Sequence, residues 1–264
     1  MSNPLLSKVK LPGRIFQLPS KGLFYDSSVL ADHVKNGEIE VRPLSAFAEI
    51  KLRSADMLFS GRAIREVCLE CIPDILIPEK LISKDVDAIF CFLRIVTYGS
   101  VMKIKSVHCQ KHSVHTYKIN VEDIISNANN QILDNIDLLF NYNLSTDQTI
   151  ELKPVTFQDA LETTHLQAAI HKNFLAGENV QELIETTMTE DVLSVIKNVD
   201  GISDKKQIKE WIASLQRTVF DEIIERAKES SEWGYNLQVD LTCKDCNTIY
   251  KHDLELNPIN FFSG

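Results

Sequence analysis

The residues best suited to chemistry in this chain are two x₂-spaced pairs of metal donors. Cys109-Gln110-Lys111-His112 lies near the middle, and Cys243-Lys244-Asp245-Cys246 lies near the C-terminus. Three thiols and an imidazole at knuckle spacing supply the four tetrahedral donors of a closed structural Zn²⁺ site. One ion held by both pairs would clip together segments about 130 residues apart. Such a site constrains folding and does no chemistry, because it keeps no open position for water. His108 and His115 flank the first pair, so which imidazole binds stays open at this point. The competing reading is a lone Cys109 beside an independent Cys-x₂-Cys.

Each pair needs a hairpin tip to hold it. Alternating stretches at Val101–Val107 and Val114–Val121 bracket the first pair, and Leu237–Leu241 and Thr248–Leu256 bracket the second; alternation of this kind predicts strands. Cys68-Leu69-Glu70-Cys71 has the same spacing in a different setting. Ile64, Val67, Cys68, Cys71 and Ile72 form a helical stripe, and free Cys behaves as a small buried hydrophobe. These thiols are assigned to the core, as is Cys91 in the apolar run Ala88–Val96.

Catalytic patterns are missing from the sequence. It holds no GxSxG, HExxH or P-loop, and its nine glycines never cluster as a phosphate cradle requires. His165 and His171 are six positions apart on an expected helix and do not share a face, and Glu182, Glu185 and Glu190 read as a solvated face. The expectation is a non-enzyme. A net charge of −9 across 264 residues argues against a nucleic-acid-binding surface. No apolar run reaches membrane-spanning length, and Met1–Arg14 lacks the apolar core of a signal peptide. Six cysteines without such a signal point to a reducing cytosol.

The pattern predicts an α+β chain, mostly helical, with short antiparallel strands and a split zinc-knuckle, zinc-ribbon-like site joining two segments. Residues 1–36 read as an extended arm, 37–130 as an α+β unit carrying the first knuckle, 131–234 as a helical unit, and 235–264 as the second knuckle hairpin and tail. Glu38–Pro43 is an expected strand and Ser45 an expected helix cap. Helices are expected at Ala63–Cys71 and Asp85–Tyr98, the latter closed by Gly99. Strands are expected within Asn141–Lys153. Helices follow at Thr156–Phe174, Asn179–Val199 with a candidate break near Thr189, and Ser203–Ser230. The aromatic ends, Leu23-Phe24-Tyr25 and Ile259-Asn260-Phe261-Phe262, either fold back or dock on a partner; docking is the expectation carried forward. Ile39-Glu40-Val41-Arg42-Pro43-Leu44-Ser45 also echoes Ile150-Glu151-Leu152-Lys153-Pro154-Val155-Thr156. Duplication and the shared chemistry of a strand-to-helix corner both account for the echo.

Several longer motifs carry a family resemblance: Leu18-Pro19-Ser20-Lys21-Gly22-Leu23-Phe24-Tyr25, Ile39–Leu44, Asp56-Met57-Leu58-Phe59-Ser60-Gly61-Arg62-Ala63-Ile64, and Leu93-Arg94-Ile95-Val96-Thr97-Tyr98-Gly99 followed by a knuckle. Over residues 15–125, and again at the C-terminal knuckle, the chain resembles the baseplate hub family of T4-type contractile phages. It departs at His112, where relatives tend to carry a second Cys. The resemblance implies a structural or assembly protein of the hub, made in the host cytoplasm, with other baseplate hub proteins as partners and no catalytic residues. Homo-oligomerisation, and whether the protein stays in the virion, are left open by it. The alternative is a zinc-ribbon nucleic-acid or transcription accessory protein, supported by Lys103, Lys105, Lys111, Lys118, Lys244 and Lys251 near the knuckles.

Overall fold

Local patterning builds a chain of short hairpins alternating with helices. In the computed structural model, which describes residues 12–108, 113–126, 135–254, 256, 261 and 262, the order is β1 (Arg14–Gln17), β2 (Glu38–Val41), α1 (Ala46–Arg53), α2 (Ala55–Phe59), α3 (Arg62–Cys71), α4 (Ser83–Tyr98), β3 (Val101–Ser106), β4 (His115–Asn120), α5 (Val121–Ser126), α6 (Ile136–Phe140), β5 (Asn141–Asn143), β6 (Thr149–Leu152), α7 (Phe157–Leu175), α8 (Gln181–Val195), β7 (Ile196–Val199), α9 (Lys205–Ser214), α10 (Arg217–Glu229), β8 (Gln238–Thr242) and β9 (Ile249–Asp253). All pairings between these strands are antiparallel. The fold is α+β, mostly helical with short antiparallel strand pairs.

The chain forms two compact units. One draws its described residues from Met1–Pro78, Lys84–Ala128 and Gly234–Gly264, the other from Glu79–Ser83 and Asn129–Trp233. Their charges differ sharply. The first carries 18 basic and 17 acidic residues, and the second carries 10 basic against 20 acidic.

The first unit is organised around α4. Its Ile89, Phe92 and Leu93 are fully buried, and Phe16 of β1 stacks on Phe92 with ring centroids 4.5 Å apart. Asp85, in the first turn of α4, is 0 % exposed. It accepts hydrogen bonds from the Ser20 backbone N–H at 3.0 Å, the Ser20 hydroxyl, and the Tyr25 hydroxyl at 2.6 Å. Burial pushes this carboxyl up to about 6, against the opposing pull of Ser20 and Tyr25. The turn it holds, Pro19–Gly22, needs left-handed backbone at Lys21 (φ 52°) and Gly22 (φ 77°). It also packs so tightly on Gly37 that a Cβ there would meet the Lys21 carbonyl carbon at 2.8 Å.

The C-terminal aromatic end therefore folds back, which corrects the docking expectation there; at the N-terminal end Tyr25 is tied to Asp85 while Leu23 stays 53 % exposed. Leu18 and Ser20 are fully buried, Phe261 and Phe262 are 2 % and 0 % exposed, and the Phe262 ring lies 6.0 Å from that of Phe90. Ile259 and Asn260 lie outside the described residues. The Ser45 cap forms as expected, its hydroxyl accepting the Ala48 N–H at 3.1 Å. Cys68, Cys71 and Cys91 are buried in α3 and α4, and burial drives the Cys71 and Cys91 thiols up to about 12.

In the second unit, β5, β6 and β7 form a three-stranded sheet. Two expectations fail here. Ile196–Val199 was expected to continue a helix, but it is a strand paired with β6 through a register shift at Glu151/Leu152. The shift lets Ile196 and Val199, three residues apart, both be buried, so the spacing mimics a helix. The expected single helix over Ser203–Ser230 is two, broken by extended Leu215 and Gln216. Ile208, Ile212, Val219 and Ile223 are all buried and would share one face of an unbroken helix too, so the pattern hides the break. By contrast α8 runs straight through Thr189, whose hydroxyl donates to Glu185 O at 2.8 Å.

Candidate metal centre

Two hairpins of the first unit carry the site. The β3–β4 ladder closes at the Ser106–His115 pair, and the β8–β9 ladder closes at Thr242–Ile249. At the second tip, the Cys243 N–H bonds Thr248 O at 2.9 Å and the Asn247 N–H bonds Cys243 O at 2.9 Å. Asn247 takes left-handed backbone (φ 59°) to close the turn, a conformation Asn tolerates better than most residues. The Cys243 side chain is thereby turned inward and buried, and that of Cys246 stays exposed.

Polar contacts knit the hairpins together. The Tyr250 hydroxyl donates to Ser106 Oγ at 3.0 Å, and Ser106 Oγ lies 3.1 Å from His252 Nδ1. Lys244 Nζ donates to Thr116 O at 2.8 Å and sits 5.2 Å from the Tyr117 ring centre. Asp245 accepts the Ser113 N–H at 2.9 Å and pairs with His115 Nε2 at 3.0 Å. These contacts fix the tips in register with each other.

His108, Cys243 and Cys246 converge at this junction, their donor atoms all within 4.8 Å of one another. His108 Nδ1 lies 3.5 Å from Cys246 Sγ. A tetrahedral ion with sulfur at about 2.3 Å and nitrogen at about 2.0 Å sets neighbouring donors roughly 3.5–3.8 Å apart, so the observed spacing suits such an ion. The Cys246 thiol is lowered to about 7, chiefly by its hydrogen bond with Thr248, with Cys243 and His108 adding to the effect. A thiolate is thus accessible near neutral pH, and the thiolate is the form that ligates. This donor set can hold a metal ion.

Cys243 and Cys246 were expected from the sequence, and the structure brings them together. Of the alternative imidazoles, His108 joins them, and His115 is engaged by Asp245 instead. Cys109 and His112 lie outside the described residues. His165 and His171 are on α7, and among the described residues no other group of three His, Cys, Asp or Glu donors is placed to hold a metal. No helix of the described residues is long and apolar enough to cross a membrane.

Against known proteins, the chain matches one family profile, that of the T4 bacteriophage base plate protein, over residues 30–262. Neither a curated protein nor a solved structure matches it.

Proposed function

The chain belongs to the T4 bacteriophage base plate protein family, and from that premise we propose that it is a subunit or assembly factor of the baseplate hub. The observation that carries this reading is the family match, which spans both compact units. The protein acts by presenting a preformed surface to other hub proteins, and it performs no catalysis. It is made and works in the host cytoplasm during tail assembly and, as a subunit, would keep its place in the tail baseplate.

The metal centre serves that role as a structural Zn²⁺ clip. His108, Cys243 and Cys246 are three donors, and the sequence offers Cys109, adjacent to His108, as a fourth. Bound zinc would link the two tips and contribute folding energy directly. Two observations weigh against the nucleic-acid reading: of the knuckle lysines, Lys244 is committed to Thr116 and Tyr117, and the surrounding unit is close to neutral.

Affinity capture of the tagged protein from infected cells, with mass spectrometry of the captured proteins and of finished particles, tests this function. Recovery of baseplate proteins, with tails failing in its absence, is the expected result. Normal tails without it, or tight nucleic-acid binding at physiological salt, would contradict it.

A further inference from the structure

The two units are built on one plan. After β1 the hairpin gains the rung Leu18 N–H to Gly37 O at 2.9 Å, and after β5 it gains Leu144 N–H to Gln148 O at 2.8 Å. Ile39-Glu40-Val41-Arg42-Pro43 and Ile150-Glu151-Leu152-Lys153-Pro154 then follow in matching strands. The basic residue's N–H bonds the last residue of a later helix in each, Arg42 to Cys71 O at 2.8 Å and Lys153 to Val195 O at 2.7 Å. Hydroxyl caps come next with almost the same backbone, Ser45 at φ −74°, ψ 160° and Thr156 at φ −82°, ψ 162°. An Ile-Ser pair leads into the following helix both times, Ile82-Ser83 at α4 and Ile202-Ser203 before α9. Behind those pairs, Ala88 and Phe92 are buried at the same offsets as Ile208 and Ile212. These steps match in sequence, backbone, hydrogen bonding or burial, as an internal duplication would leave them.

The copies differ at one place. Leu81-Ile82-Ser83 belongs to the second unit, where it covers the Val155-Thr156-Phe157 corner. Ser83 N–H bonds Val155 O at 2.9 Å and Phe157 N–H bonds Leu81 O at 2.6 Å. Ile82 is 3 % exposed there and Phe157 is 9 % exposed. The matching corner of the first unit, Leu44-Ser45-Ala46, has no such cover: Ala46, at the place of buried Phe157, is exposed. Beside it Phe47 is 78 % exposed and Ile50 is 63 % exposed; Ile50 stands at the place of half-buried Leu161, and Phe47 at that of exposed Gln158. Among the described residues the matching segment, Gly201-Ile202-Ser203, covers no such corner, and Ile202 is 48 % exposed. Among the described residues, Leu44 O, Ala46 N–H, Gly201 O and Ser203 N–H take part in no hydrogen bond. Ile202 bonds Val199 through its own N–H and C=O, so its neighbours' polar groups remain for the opposite edge.

We infer that Gly201-Ile202-Ser203 of one molecule docks on the Leu44-Ser45-Ala46 corner of a second copy, repeating between molecules the contact that Leu81-Ile82-Ser83 makes within one. The occupant is thus this chain's own second repeat. Charge favours the same pairing. A head-to-tail contact sets the acidic second unit against the nearly neutral first, whereas pairing two second units would oppose two surfaces of net −10 each. A head-to-tail contact is heterologous, so it builds a closed ring or an open chain according to the rotation per step. The inference goes beyond the baseplate reading and does not depend on it.

Light scattering on the purified full chain over a wide concentration range tests it. The wild type should associate. Ala46→Pro, which removes the N–H matched to that of Phe157 at a first helical position where proline is tolerated, and Ile202→Asp should each keep the wild-type melting temperature and weaken association by at least about tenfold. Mixing the two variants should give a dimer and nothing larger, because each retains the face that the other lacks. A wild-type chain that stays monomeric throughout would overturn the inference. So would a mixture that stays monomeric while the wild type associates, or a variant that associates as the wild type does.

Discussion

The first unit holds distant segments together in two ways, and they differ in what surrounds the clip. At the knuckles, a donor cluster joins the β3–β4 and β8–β9 tips amid polar contacts and an exposed Cys246. At the start of α4, the carboxylate of Asp85 holds the Leu18–Tyr25 turn amid buried Leu18, Phe16 and Phe92. Where apolar burial is plentiful a carboxylate suffices to choose the geometry. Where the tips are small and wet, the proposed zinc would supply the free energy itself.

The contrast breaks first at the metal. Stripping zinc with a chelator, or Cys243→Ser, should lower the melting temperature by roughly 10 °C or more, since structural zinc contributes its binding energy to folding. Calorimetry checks this, and an unchanged transition would place the knuckles with ordinary surface hairpins. Leu18→Ala should cost about 2–5 kcal/mol, because a fully buried side chain leaves a cavity. It should leave zinc content unaltered, as denaturant unfolding and elemental analysis together would show.

Asp85 sharpens the comparison through pH. Between about pH 4 and pH 6 the folded chain keeps a proton on Asp85 that the unfolded chain has released, so this group's contribution to stability falls as the pH rises through that window. The destabilisation caused by Asp85→Asn should therefore be larger at pH 4 than at pH 7, by on the order of 3 kcal/mol. Denaturant curves for both proteins at the two pH values measure it, and a difference independent of pH would show that Asp85 does not titrate there. Smallest of all, Thr156→Ala should cost about 1 kcal/mol by removing the cap whose hydroxyl accepts the Asp159 N–H at 3.1 Å. Ser45→Ala should cost a similar amount.

The two clips were not equally visible in the sequence. Cys-x₂-Cys between alternating strands announces its chemistry, because a thiol pair in a polar turn is out of place in a core. Asp85 announces nothing. An acidic residue in a first helical turn reads as a partner of the helix dipole, and only the fold shows that Ser20 and Tyr25 close over it. Strand alternation located β3, β4, β8 and β9 to within two or three residues, and hydroxyl caps located α1 and α7. β1 was missed because Pro12, Gly13 and Pro19 bracket a strand of only four residues. β7 was missed because a bulge gave it helical spacing. His108 was visible only as one of three neighbouring imidazoles, a choice that needs the opposing hairpin to settle.

The central claim, that these hairpins are joined by one structural zinc, is tested most directly by zinc content per chain in the wild type, His108→Ala and His115→Ala. The account predicts about one zinc in the wild type and in His115→Ala, with loss of metal in His108→Ala. A metal-free wild type, or a His108→Ala protein that binds zinc as tightly as the wild type, would contradict it.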